Sequence, residues 1–225
     1  MKLGISGRVF KVPRAWSNRE LRRWSPLFHG DVVNVSGWRD EDKQGGHYRD
    51  YFVNATSYRL TNHDEKACGL QGVDGEIALD LDVPVDPSLH RRFDVVFNHT
   101  TLEHVYNTHV AFRSLCELSR DIVIVVVPFL QPFHDGKDGA YSDYWRFSPA
   151  ALGRMFGEHG LTPLHIAFND DWLSSVYVLA IGTRQPERWQ GRFPPISRTH
   201  PEHGGVPGAR VVLKLRATLR QLLRR

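Results

Sequence analysis

Three side chains in the segment 131–147 are of types that could manage a proton on a hydroxyl: His134, Asp143 and Arg146. An imidazole titrates near neutrality, so His134 suits the base that would take such a proton. Arg146 would either clamp a carboxylate or phosphate on a bound molecule or pair with Asp143 and brace the loop. A second polar group, Asn98, His99, Thr100 and Thr101, follows the apolar run FDVVF, and Glu103 and His104 come after one leucine more. The chain has 12 histidines, which raises the question of a metal. His99, His104 and His109 are spaced by five, about 140° apart on a helix, so they would not share a face. No H-E-x-x-H or Cys/His pattern occurs, and the expectation is no metal. A phosphate-cradling G-x-x-x-x-G-K-[ST] loop is absent as well.

Elements that would position these groups follow from hydropathy. Phe93–Asn98 and Asp121–Val127 are apolar without strict alternation, as in strands of a parallel sheet covered on both faces. Ligands of such sheets bind beyond the carboxyl ends of the strands, where Asn98 to Thr101 fall. Further strands are expected at 31–36, 57–62, 76–83, 162–168 and 173–183, the last two forming an antiparallel edge. Apolar spacing predicts a helix over 107–120. Ser148-Pro149 opens another that ends at Gly160. Ser17 with Glu20 resembles a capping box, which predicts a short helix within 17–28. The segment 128–147 is a long aromatic-rich loop, and loops of that length in compact domains are usually functional.

Composition sets the outer limits. At 225 residues the chain can hold one sizeable α/β domain, 31–184, between a basic extension (1–30) and a Pro/Arg-rich linker (185–207). Residues 208–225 follow, in which RVVLKLRATLRQLLRR is a basic amphipathic helix candidate. Two distant cysteines and no long apolar run suit a cytoplasmic protein. The net charge of +4 is uneven: residues 1–30 carry +6 and 185–225 carry +7, leaving −9 on 31–184. An acidic body is a poor tracker of phosphates, so nucleic acid is not expected as a partner. The basic stretch Arg210–Arg225 suits peripheral contact with an anionic membrane surface.

With these segments in place, the chain resembles class I S-adenosylmethionine-dependent methyltransferases, nearest the small bacterial branch that occurs with sugar and polysaccharide biosynthesis. FDVVFNHTTLEHV (Phe93–Val105) is similar to that family's fourth strand and following loop. VPFLQPFHDGKDGAYSDYWRFSPAALGRMFGEHGL (Val127–Leu161) resembles the segment after its fifth strand. The resemblance spans roughly 31–183. It implies a Rossmann-like fold, a seven-stranded mostly parallel sheet with an antiparallel edge strand and helices on both faces. It also implies S-adenosylmethionine as cofactor and O-methylation of a small-molecule or sugar acceptor.

Carried over position by position, the resemblance puts Asn34, Ser36 and Gly37 at the cofactor's amino-acid end and Asn62 at the ribose. Asp82 would meet the adenine amino group, Asn98 and His99 would line the methyl-donor pocket, and His134, Asp143 and Arg146 would serve the acceptor. The departures fall on the first two groups. VVNVSGW has Asn34 for the usual acid and Ser36 and Trp38 where glycines are usual, while YRLTN ends in Asn62 for the second acid. At roughly 1 kcal/mol for each lost increment, two such changes would weaken cofactor binding about ten- to a hundredfold. They motivate a rival expectation, a methyltransferase-like protein without transfer activity that serves as a binding or scaffolding module.

Overall fold

The computed structural model describes residues 5–63, 69–136, 141–169, 171 and 174–196. Strands β1 (Gly30–Val35), β2 (Ala55–Asn62), β3 (Ile77–Ala78), β4 (Phe93–His99), β5 (Ser119–Leu130), β6 (Thr162–Phe168) and β7 (Val176–Thr183) form one sheet. Its order is β3-β2-β1-β4-β5-β7-β6. Strands β1 to β5 pair in parallel, and β7 runs antiparallel to both of its neighbours, one position in from the β6 edge.

Alternation along the central strands explains why both faces are covered. In β5, Val123, Val125 and Val127 join Leu115 and Phe112 of α2 (Thr108–Leu118) and Leu152 and Phe156 of α3 (Pro149–Glu158). Ile122, Ile124 and Val126 point the other way, to Leu21 and Trp24 of α1 (Ile5–Trp24) and to Phe28, Tyr48 and Trp189. The sheet order reverses direction between β1 and β4, which opens a crevice beyond their carboxyl ends. Helix α3 begins as expected, with Ser148 Oγ accepting from the Ala151 N–H at 3.1 Å.

Other expectations are corrected. The first helix begins at Ile5 and runs through Pro13 to Trp24. Ser17 is therefore not a cap, and its Oγ donates to the Arg14 carbonyl at 3.0 Å. The Ser-x-x-Glu spacing that defines a capping box is also the i, i+3 spacing of one helix face, so the pattern does not locate the start. The third strand shrinks to two residues. On its entry side Glu76 gathers the N–H groups of Gln71, Gly72 and Val73, and on its exit side the Asp82 N–H turns back to Asp80 Oδ1 at 2.9 Å. In the segment read as an exposed linker, Pro186–Trp189 forms a 3-10 turn that buries Trp189 against Phe28, while Gln185, Glu187, Arg188 and Gln190 are exposed. Residues 197–207, the basic stretch 210–225 and Asp64 lie outside the described residues. No helix among the described residues is long and apolar enough to cross a membrane.

Candidate active site

A cavity of about 1150 Å³ lies beyond the carboxyl ends of β1, β4 and β5, with α1 along one side. That volume accommodates a nucleoside cofactor and a small acceptor together.

The loop after β1 forms one wall. Ser36 (φ 54°) and Trp38 (φ 47°) both adopt left-handed backbone, the conformation that favours glycine, at a cost of about 1–2 kcal/mol each. Neighbouring groups hold them there. The Ser36 N–H donates to Thr61 Oγ1 at 3.1 Å and the Trp38 N–H to Asn62 Oδ1 at 2.7 Å. Asn62 Nδ2 donates to the Trp38 carbonyl at 3.1 Å and to Glu76 Oε1 at 2.6 Å, which uses both amide hydrogens. Asn34 Nδ2 donates to Asp40 Oδ1 at 2.8 Å. Between Ser36 and Trp38 only a glycine fits, because a Cβ on Gly37 would lie 2.6 Å from Asn34 Nδ2. Asn34, Ser36, Gly37 and Asn62 all reach the cavity wall. Asn62 is committed to shaping the loop, however, and has no hydrogen left to donate to a ribose.

Asp82 also lines the cavity, and its Oδ1 accepts from the Asn107 N–H at 3.2 Å. Asn98 does not line the cavity. It is fully buried outside the wall, and its Nδ2 donates to the Val35 carbonyl at 2.9 Å, tying the ends of β1 and β4. His99 does reach the wall, but as part of an internal network. Arg14 can only donate, so the 2.8 Å contact from its Nη1 makes His99 Nδ1 an acceptor. The proton then sits on Nε2, which donates to Ser17 Oγ at 3.0 Å. Burial, followed by the Arg14 charge, holds the His99 pKa well below the usual imidazole range. Arg14 also donates to Tyr48 Oη at 3.1 Å and Thr100 Oγ1 at 3.0 Å. A cationic group from an apparently featureless basic extension thus enters the site, and no local sequence pattern announces it.

His134 lines the opposite wall, while Asp143 and Arg146 stand behind it. His134 Nδ1 lies 3.0 Å from Asp143 Oδ2, whose side chain is fully buried, and the same oxygen accepts the His134 N–H at 2.8 Å. Arg146 meets both carboxylate oxygens at 2.5 Å and donates to the Gln131 and Pro132 carbonyls. Burial tends to raise the Asp143 pKa, but the Arg146 and His134 contacts outweigh it and hold the carboxyl below its ordinary value. Asp143 and Arg146 therefore touch His134 and the loop backbone and do not line the cavity. The Tyr144 and Trp145 N–H groups seat this loop on the Glu103 carbonyl at 2.8 and 3.2 Å.

The Glu103 side chain faces the same cavity at 1% exposure, with Oε2 lacking any hydrogen-bond partner. Burial pushes its pKa up to about 8. His104 stands beside it, its Nδ1 2.9 Å from the Ser142 carbonyl, and burial is the main cause of its lowered pKa.

No protein-family model matches this chain, and no curated protein matches it. Solved structures do. An S-adenosylmethionine-dependent methyltransferase from Mesorhizobium loti is 12% identical, over 80% of this chain and 100% of its own, with a TM-score of 0.53. Magnesium protoporphyrin IX methyltransferase (ChlM) from Synechocystis PCC 6803, solved with bound SAM, is 11% identical over 82% of this chain and 86% of its own, with a TM-score of 0.54. At such identities the likeness is one of fold. The chain has the class I S-adenosylmethionine-dependent methyltransferase fold.

Proposed function

We propose that this protein is an S-adenosylmethionine-dependent methyltransferase that methylates a hydroxyl of a small molecule, with a sugar or polysaccharide intermediate as the expected acceptor. The supporting observation is a single cavity that joins the β1 loop, the β4 end and an Asp143-held His134. The residues present fit the cofactor. The two left-handed positions that its amino-acid end usually finds in glycines are kept here by Ser36 and Trp38, and Asp82 offers a carboxylate at the adenine side. Bound S-adenosylmethionine would supply an electrophilic sulfonium methyl. His134 would accept the proton of the acceptor hydroxyl, with Asp143 fixing the ring. The network of Arg14, His99 and Ser17 would keep that end of the cavity rigid and free of stray protons.

Calorimetric titration of the full chain with S-adenosylmethionine tests this reading. A dissociation constant below high micromolar is expected, and the absence of heat would reject it. That second result would favour the scaffolding alternative, which draws support from Asn62, whose amide hydrogens are both spent on the loop.

A further inference from the structure

We infer that Glu103, His104 and His134 form a binding site for a divalent transition-metal ion such as Zn²⁺. One nitrogen of each imidazole and a carboxylate oxygen of Glu103 lie within 4.8 Å of one another in the cavity wall. Contraction by an ångström or two would bring them to the roughly 3.0–3.4 Å separations of ligands around an ion bound at about 2.0–2.2 Å.

The groups around the trio are those expected to orient metal ligands. His104 Nδ1 faces the Ser142 carbonyl at 2.9 Å, and a carbonyl can only accept, so the proton sits on Nδ1 and the lone pair on Nε2. His134 Nδ1 lies 3.0 Å from the Asp143 carboxylate and 3.1 Å from the Gln131 amide nitrogen, so its Nδ1 edge is turned away from the trio towards these two side chains. An imidazole that gives its Nδ1 hydrogen to an oxygen and its Nε2 to an ion is the usual outer-shell arrangement of metal sites. His104 Nε2 and Glu103 Oε1 stand 3.8 Å apart, two electron-pair donors facing each other. Glu103 Oε2 is buried with no hydrogen bond at all. A buried carboxylate oxygen without a partner needs a proton or a cation, and a bridging ion satisfies all three side chains together. Two histidines and one carboxylate leave coordination positions open, as catalytic rather than structural sites do, and these would face the cavity. The charges nearby are Arg14, Arg146 and Asp143, so the positive groups are countered in part by Asp143 and in part by Glu103 itself.

What the ion would do rests on the methyl-transfer reading; that it binds does not. Ligated by His134, it would take over activation of the acceptor hydroxyl, lowering that group's pKa so that the proton passes to water. Asp143 would keep its task of holding Nδ1.

The test is titration of chelator-stripped full-length protein with Co²⁺, read by visible absorption, followed by displacement with Zn²⁺. One Co²⁺ per chain with bands distinct from the aqueous ion is expected, and His104→Ala and Glu103→Gln should each weaken binding by about 100-fold. Asp143→Asn should weaken it about 10–100-fold, as loss of an outer-shell partner does. Far-UV dichroism of each variant verifies the fold, and Glu103→Gln nearly preserves shape. Absence of shifted bands, or an affinity unmoved by His104→Ala and Glu103→Gln, overturns the assignment, the latter by locating Co²⁺ on other histidines. Calorimetry with S-adenosylmethionine on the stripped protein reads the methyl-transfer proposal separately, so that either can fail without the other.

Discussion

His134 and His99 are both imidazoles at the rim of one cavity, yet their surroundings differ. His134 has a buried carboxylate on Nδ1 and faces the open side. Replacing it with Ala should reduce turnover about 10²–10⁴-fold with S-adenosylmethionine affinity intact, and an unchanged rate would remove it from the chemistry. His99 is held neutral beneath Arg14. Its folded pKa lies below the ordinary 6.5, so the unfolded chain binds a proton that the folded one refuses. The stability it lends is therefore present above about pH 6.5 and is lost as pH falls below that value, by at most about 1.4 kcal/mol per pH unit. In urea unfolding at pH 7 and pH 5, His99→Gln should narrow the gap between the two conditions; an equal gap would clear His99 of the effect. The sequence made His134, Asp143 and Arg146 legible because they crowd one loop. It could not separate the group that faces the ligand from the two that stand behind it, since that depends on which way a loop of 18 residues folds back on Glu103.

At the level of elements, apolar runs were the readable signal. Strand β5 and helix α3 carry unambiguous patterns, a β-branched run and a Ser-Pro opening; both form, and β5 runs longer than read, taking Pro128, Phe129 and Leu130 from the segment read as loop. Helix α1 was legible only in its second half, because Pro13 and mixed polarity hide the first, and β3 was over-read at 76–83, where the bonds made by Glu76 and Asp80 cut it short. The turn after β1 was read as eroded from its missing glycines. Its backbone nevertheless keeps the left-handed positions, since the side chains of Thr61 and Asn62 hold what glycine would otherwise allow. Gly37→Ala should break this turn against the Asn34 amide and weaken S-adenosylmethionine binding by at least tenfold in calorimetry. Gly182→Ala tests packing away from the cavity. Its Cβ would lie 2.7 Å from the Phe156 ring, and a loss of about 1–3 kcal/mol in urea unfolding is expected without loss of cofactor affinity.

For the molecule as a whole, charge is sorted: an acidic middle of −9 between basic flanks of +6 and +7. Part of the amino-terminal flank is consumed internally, with Arg22 on Asp42 at 3.0 Å and Arg14 in the cavity wall. The carboxyl-terminal segment 210–225 carries the proposal of peripheral membrane contact. Removing 208–225 should then abolish co-sedimentation with anionic vesicles at low salt, and undiminished sedimentation rejects that proposal.

Strand β5 carries Asp121 two residues after its start, at the end of the sheet remote from the cavity. Its buried carboxylate accepts from Thr183 Oγ1 and, at 2.9 Å, from the indole N–H of Trp189, with Arg188 Nη1 at 3.7 Å. Anyone trimming this polypeptide for crystals or fusions therefore has a lower bound that hydropathy does not mark. A stop codon after Ile196 spares the clasp, whereas one after Gln185 removes both Trp189 and Arg188 and leaves Asp121 the Thr183 hydroxyl alone of these three partners.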